Sequence, residues 1–245
     1  MSNFYLNQNI PAFTTSRTML QASGEIGGSR AVFFEAGGYK NHLHMPTFGG
    51  TWKNPFKGNA KFFAGDLFYI KTDDKAEHPE VYLLKTFKVK SASSTLIKIY
   101  RDGFSHVPFV GDVLMEAPAE IGGTGGQASV VTKVVESVDS EVDVWEVTVD
   151  TAITGLEKDN ILVEAEGAEQ VATGKMLVKN INGVAPCDND FFYAPYSGTS
   201  SRKMESAYVN YAPVLGGIMY KHKMSPIPAC VEKLNKSRIN GLYEV

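Results

Sequence analysis

Between Leu67 and Ala165 apolar and polar residues alternate largely with a period of two, the pattern of strands that bury one face. Leu67–Lys71 follows a Gly65-Asp66 corner, Val81–Lys90 is the next predicted strand, and a turn at Ser91–Ser94 leads into Thr95–Arg101. Val130–Val138, Asp143–Thr151 and Ile161–Ala165 repeat the series. In Val130–Val138 the apolar positions 130, 131, 134, 135 and 138 also fit one helical face. The run is crowded with β-branched residues, which are stiff at χ1 and pack well on a pleated surface, and this tips the reading to strand.

The pattern repeats at an offset of 48 residues. GDVLMEA at Gly111–Ala117 is echoed by DNILVEA at Asp159–Ala165, and LIKIYRD at Leu96–Asp102 by VWEVTVD at Val144–Asp150. On this offset Ile97 and Ile99 fall on Trp145 and Val147, Lys85 on Lys133, and Glu116 on Glu164. Identities are few, so the repeat is carried by matched apolar and polar phase. The repeated unit is strand, tight turn, strand, loop, then a strand introduced by a Gly-Asp or Asp-Asn corner. One such unit cannot bury its apolar face alone, whereas two can close around a shared core. The predicted fold is mainly β: a small barrel or sandwich built from a duplicated strand module, with extended N- and C-terminal arms and one short C-terminal helix.

Three regions follow: an N-terminal arm over 1–60, a duplicated β domain over 61–167 with copies at about 81–118 and 129–166, and a C-terminal interaction segment over 168–245. In the first, aromatic residues fall between Gly-Gly pairs at 27–28, 37–38 and 49–50 and prolines at 11, 46 and 55, and no sustained period runs through them. The linker 118–127, with IGGTGGQ, reads as an exposed flexible loop. Near the C-terminus, Ser225-Pro226-Ile227-Pro228 precedes the best helix candidate, 229–240, with Lys233, Lys236 and Arg238 in its later turns and Gly241 beyond. Its apolar stripe is thin, which predicts a surface position.

Composition narrows the function classes. Lys+Arg 24 against Asp+Glu 27 gives a net charge of −3 without runs of like charge, which argues against specific nucleic-acid binding. No stretch approaches the ~18 apolar residues of a membrane span, and MSNFYLNQN has neither the basic start nor the apolar run of a secretory signal. Cys187 and Cys230 are too few for a disulfide framework and read as reduced, partly buried thiols.

Candidate chemistry is sparse. His42 and His44 would share one side of a strand, yet no acidic or cysteine partner lies near to complete a metal site. GGTGG at 122–126 lacks the Lys-Ser/Thr of a phosphate-binding loop, and no Gly-x-Ser-x-Gly elbow is present. Cys187 with His222 reads as a loop thiol and an unrelated histidine. Glu116 and Glu164, matched across the repeat, read as solvated face residues rather than a carboxylate pair. Trp145 reads as core and Trp52 as an exposed anchor. No catalytic residue, cofactor or metal is expected.

The run from Val130 through VVTKVVESVDSEVDVWEVTVD to the ILVEA ending at Ala165, entered by a lysine-acidic corner, resembles segments of tailed-phage virion proteins, especially head-fibre and auxiliary capsid proteins of phages infecting Bacteroidetes. The resemblance brings no catalytic residues. It implies a non-enzymatic capsid subunit located in the virion, made in the host cytoplasm, and held by its arms to other virion proteins such as a major capsid protein, in a homo-oligomer or multi-copy assembly. Phe4, Tyr5, Phe13, Trp52, Phe56, Tyr193 and Tyr196 are the expected partner-binding residues. The alternative is a β-barrel module recognising carbohydrate or another polymer, with Trp52, Tyr193 and Tyr196 as the stacking platform.

Overall fold

The computed structural model describes residues 43–44, 48–54, 61–63, 65–71, 79–102, 105–185, 189–190, 208–211, 214–216, 219–220, 224–232 and 242–243. The described chain is mainly β, as the alternation predicts. In chain order its strands are β1 (Leu43–His44), β2 (Phe48–Trp52), β3 (Lys61–Phe62), β4 (Leu67–Lys71), β5 (Glu80–Leu83), β6 (Thr86–Ser93), β7 (Leu96–Tyr100), β8 (Val113–Glu116), β9 (Ser129–Asp139), β10 (Val142–Val149), β11 (Ile161–Glu164), β12 (Gly183–Val184), β13 (Asn189–Asp190), β14 (Tyr208–Tyr211), β15 (Val214–Gly216), β16 (Met219–Tyr220) and β17 (Leu242–Tyr243).

Six of them close into a barrel in the order β10-β7-β6-β11-β8-β9, with every neighbouring pair antiparallel. Phe87, Val89, Ile97, Ile99, Leu114, Val147 and Leu162 are among the residues that fill it. The pairing has an approximate twofold pattern. Strand β7 lies beside β10 and β8 beside β11, and Met115 faces Val163, its own counterpart at the 48-residue offset.

The strand entries match bond for bond. Gly111 N donates to Val131 O at 2.7 Å and Val131 N to Asp112 O at 2.8 Å; Asp159 N donates to Val89 O at 2.8 Å and Val89 N to Asn160 O at 2.9 Å. These bonds equate Val89 with Val131, so the 48-residue offset does not extend to β6 and β9. Each hairpin carries one bulged residue, Lys90 in β6 and Thr132 in β9, and three residue pairs follow the first bulge but seven follow the second. The longer second hairpin shifts the equivalence along β7 and β10. Ile99 pairs with Val89 and Val149 with Val131, so Ile97 and Ile99 correspond to Val147 and Val149, all four buried. Trp145, expected in the core, is half-buried against it, with the Arg101 guanidinium 5.1 Å from its ring centroid.

A second sheet of seven strands has the order β1-β15-β12-β4-β5-β2-β14, with β2 and β5 parallel and its other pairs antiparallel. The predicted strand Val81–Lys90 is therefore two strands in two sheets, broken at Leu84 and Lys85, where the chain crosses to the barrel. Parts of the segments assigned to the arms, β1, β2, β12, β14 and β15, belong to this sheet. A second core joins it to the barrel: Val113, Met115 and Val163 pack with Leu67, Leu84, Val184, Met224 and Val231. Strands β8 and β11 are thus buried on both faces, which is why VLME and ILVE read as near-continuous apolar runs.

Two further expectations change here. Residues 229–232 form a helical turn, with Glu232 N donating to Pro228 O at 3.2 Å, but Cys230 and Val231 are buried in the second core rather than on a surface. The glycine linker, read as a flexible loop, is bonded along its length to 171–176: Gly125 N donates to Gly174 O, Gly174 N to Gly126 O, and Met176 N to Gly123 O, at 2.8–3.0 Å. Glycine is needed there for close approach, since a Cβ on Gly174 would lie 2.8 Å from that of Ala128 and 3.0 Å from Met115 Sδ.

Candidate functional site

The strand-entry corner occurs three times. At 63–66, 109–112 and 157–160 the fourth residue's side chain accepts from the first residue's N–H, at 2.7, 2.9 and 2.6 Å, while its own N–H donates to the first residue's carbonyl. The third residue is left-handed in each, with φ of 85° at Gly65, 93° at Gly111 and 71° at Asp159. This turn sets the direction of Asp66, Asp112 and Asn160, and two of the three point into a buried seam between the barrel and its outer layer.

The seam centres on Lys85, at the break between β5 and β6. Its ammonium lies 2.7 Å from Asp112 Oδ2 and 3.5 Å from Glu164 Oε1, and all three residues are at most 3% exposed. The rings of Phe87 and Phe109 stand 5.6 and 5.2 Å from the same ammonium. From the outer layer Asn54 donates through Nδ2 to Glu164 Oε2 at 2.6 Å and to Leu83 O at 2.8 Å, and accepts from Leu83 N at 2.7 Å. Alongside, Nδ1 of buried His106 accepts from Thr86 N at 3.0 Å and its Nε2 lies 3.2 Å from Asp66 Oδ1, which also accepts from the Ser225 hydroxyl at 3.0 Å. Asn54 and Asp66 thus link the flanking segments to the barrel through polar contacts, with Ser225 bonded to Asp66.

Burial pushes the Glu164 carboxyl above its ordinary range; the Lys85 ammonium opposes this and the nearby Asp112 carboxylate adds to it. The solvated-face reading of Glu164 is therefore wrong, because the layer that covers it is built from segments far away in sequence. Glu116 does not meet Glu164. It is half-buried, and its Oε1 accepts from Asn160 Nδ2 at 2.5 Å.

A second feature is the β9–β10 hairpin, which extends four residue pairs beyond the length of its counterpart. Arg101 bonds Glu136 at 2.7 Å, and Lys98 reaches Asp139 at 3.6 Å and Glu146 at 3.8 Å. The Lys90 ammonium donates to Asp139 O and lies 3.2 Å from Asp139 Oδ2. The hairpin also exposes Val135, Val138 and Val142, with Val138 at 66%.

Of the residues expected to bind partners, Trp52 is the last residue of β2, opposite Val81. Phe4, Tyr5, Phe13, Phe56, Tyr193 and Tyr196 lie outside the described residues, as do His42, Cys187 and His222. His44 is in β1, opposite Val214, and Cys230 is buried. Among the described residues no three His, Cys, Asp or Glu side chains are arranged to hold a metal ion. Among known proteins, no family model, no curated protein and no solved structure matches this chain.

Proposed function

We propose that the protein is a non-enzymatic structural subunit of a phage particle, of the auxiliary, decoration or head-fibre kind, held in multiple copies against other virion proteins such as a major capsid protein. The resemblance of 130–165 to virion proteins motivates the reading. The observation that carries it is the extended β9–β10 hairpin, which bears three of the six large apolar side chains exposed among the described residues. Exposed apolar side chains on a rigid projection suit burial against another protein. The closed barrel beneath supplies the rigidity, and its buried polar groups are spent on holding the outer layer.

Particles of the encoding phage, purified on a density gradient, test this by quantitative mass spectrometry. The chain is expected at many copies per particle. Its absence from the particles, with the chain present in the same lysate, overturns the assignment.

A further inference from the structure

At the centre of the seam, among the described residues, the two carboxyl groups of Asp112 and Glu164 share one ammonium, that of Lys85. Asp112 is held at 2.7 Å from Lys85, whereas Glu164 is at 3.5 Å and also accepts from a neutral amide, that of Asn54. Asp112 also leaves its buried Oδ1 without a hydrogen-bond partner. An excess negative charge here is costly away from water, and a proton on the Asp112–Glu164 pair removes it.

We propose that the seam is a proton-gated clasp, in which a proton on the Asp112–Glu164 pair, resident on Glu164, keeps the outer layer of Asn54, Asp66 and Ser225 docked on the barrel, and its loss loosens that docking. Docking and protonation are linked because the layer itself supplies the burial: each favours the other to the same extent. Burial raising the Glu164 carboxyl agrees in direction. The groups facing the pair are Lys85 from the β5–β6 break and Asn54 from the segment after β2, with the Phe109 backbone at the corner; the Asp66–His106 contact lies beside them. The clasp does not rest on the virion assignment, since it is a property of the isolated chain.

The test is hydrogen exchange on the full chain between about pH 5 and 9, corrected for intrinsic exchange, in the wild type and Glu164→Gln. The amides of Lys53, Leu84 and Ala185, bonded to Val81 O, Leu67 O and Asp66 O, report on the layer; those of Val89 and Val131 report on the barrel. The layer amides of the wild type are expected to lose protection relative to the barrel by up to about tenfold per pH unit above the Glu164 midpoint, and Glu164→Gln to abolish this dependence. Identical pH profiles in the two proteins overturn the proposal. Titration of the Glu164 carboxyl carbon by NMR in the wild type decides independently should the variant fail to fold. A midpoint above the ordinary 4.5 is expected, and one at or below it refutes the clasp.

Discussion

Replacing Lys85 with methionine removes the one ammonium in contact with two buried carboxylates and leaves the volume filled. Asp112 loses a 2.7 Å partner and Glu164 its 3.5 Å neighbour, at sites covered on all sides. Breaking a buried pair by removing one member costs about 3–5 kcal/mol, because the remaining charge has neither water nor a counter-ion. Methionine keeps contact with Phe87 and Phe109, so little of that cost comes from packing. The cost is pH-dependent. Glu164 titrates higher folded than unfolded, so its stabilising contribution is complete below the unfolded value and is lost as the pH rises through the folded one. Without Lys85 that loss deepens, and the gap between wild type and Lys85→Met widens from about pH 5 to pH 8. Urea unfolding at both pH values measures it. A difference below about 1 kcal/mol at neutral pH, or one independent of pH, would refute the view that the seam is held by charge pairing.

Three other outcomes follow from local geometry. The β9–β10 turn holds Ser140 and Glu141 at φ of 52° and 65°, a conformation that Asn-Gly adopts readily, so Ser140→Asn with Glu141→Gly should raise stability by about 1 kcal/mol in urea unfolding. Gly174→Ala meets Ala128 and Met115 and should cost about 1–3 kcal/mol, whereas Gly126→Ala, with open space and ordinary φ, should be neutral within about 0.5 kcal/mol; equal effects would show that close packing is not what fixes the linker. The Glu80 carboxyl, hydrogen-bonded by Lys71 and also by Tyr82, is lowered to about 2, so its contribution is complete above the unfolded 4.5 and is lost as the pH falls from there through about 2. Glu80→Gln should flatten the acid limb of the thermal stability profile between those limits.

Much of the barrel was legible because its strands obey period two and its corners carry explicit turn chemistry. Leu67–Lys71 and Ile161–Glu164 start where Gly65-Asp66 and Asp159-Asn160 put them. The 48-residue offset holds where corner bonds fix the register, at 111–117 and 159–165, and fails where the hairpins differ in length, because nothing in a strand pattern counts residues past a bulge. Lys85 illustrates the failure: it aligned with Lys133, which is exposed in β9, while Lys85 itself is buried at a strand break. Glu164 was misread for a related reason. Its own strand is ordinary, and what desolvates it arrives from Asn54 and the outer layer, whose two- to five-residue strands leave too short a period to recognise.

The repeat also suggests how the seam is built and how to test it. Asp112 of the first copy and Glu164 of the second correspond to Asn160 of the second and Glu116 of the first, with each corner side chain directed toward a glutamate of the opposite copy. Asn160 carries its own donor and reaches Glu116 directly at 2.5 Å, whereas Asp112 has none and meets Glu164 only through Lys85. Asp112→Asn should therefore make the loss of Lys85 less costly. The new amide keeps an oxygen for the Phe109 N–H, as Asn160 does for that of Glu157, and offers its nitrogen to Glu164. In the double variant with Lys85→Met, the about 3–5 kcal/mol cost of the lysine loss alone should shrink by a coupling of about 1–3 kcal/mol, read from a double-mutant cycle in urea. Additive costs would mean that the two corners share a backbone turn and nothing of their polar logic.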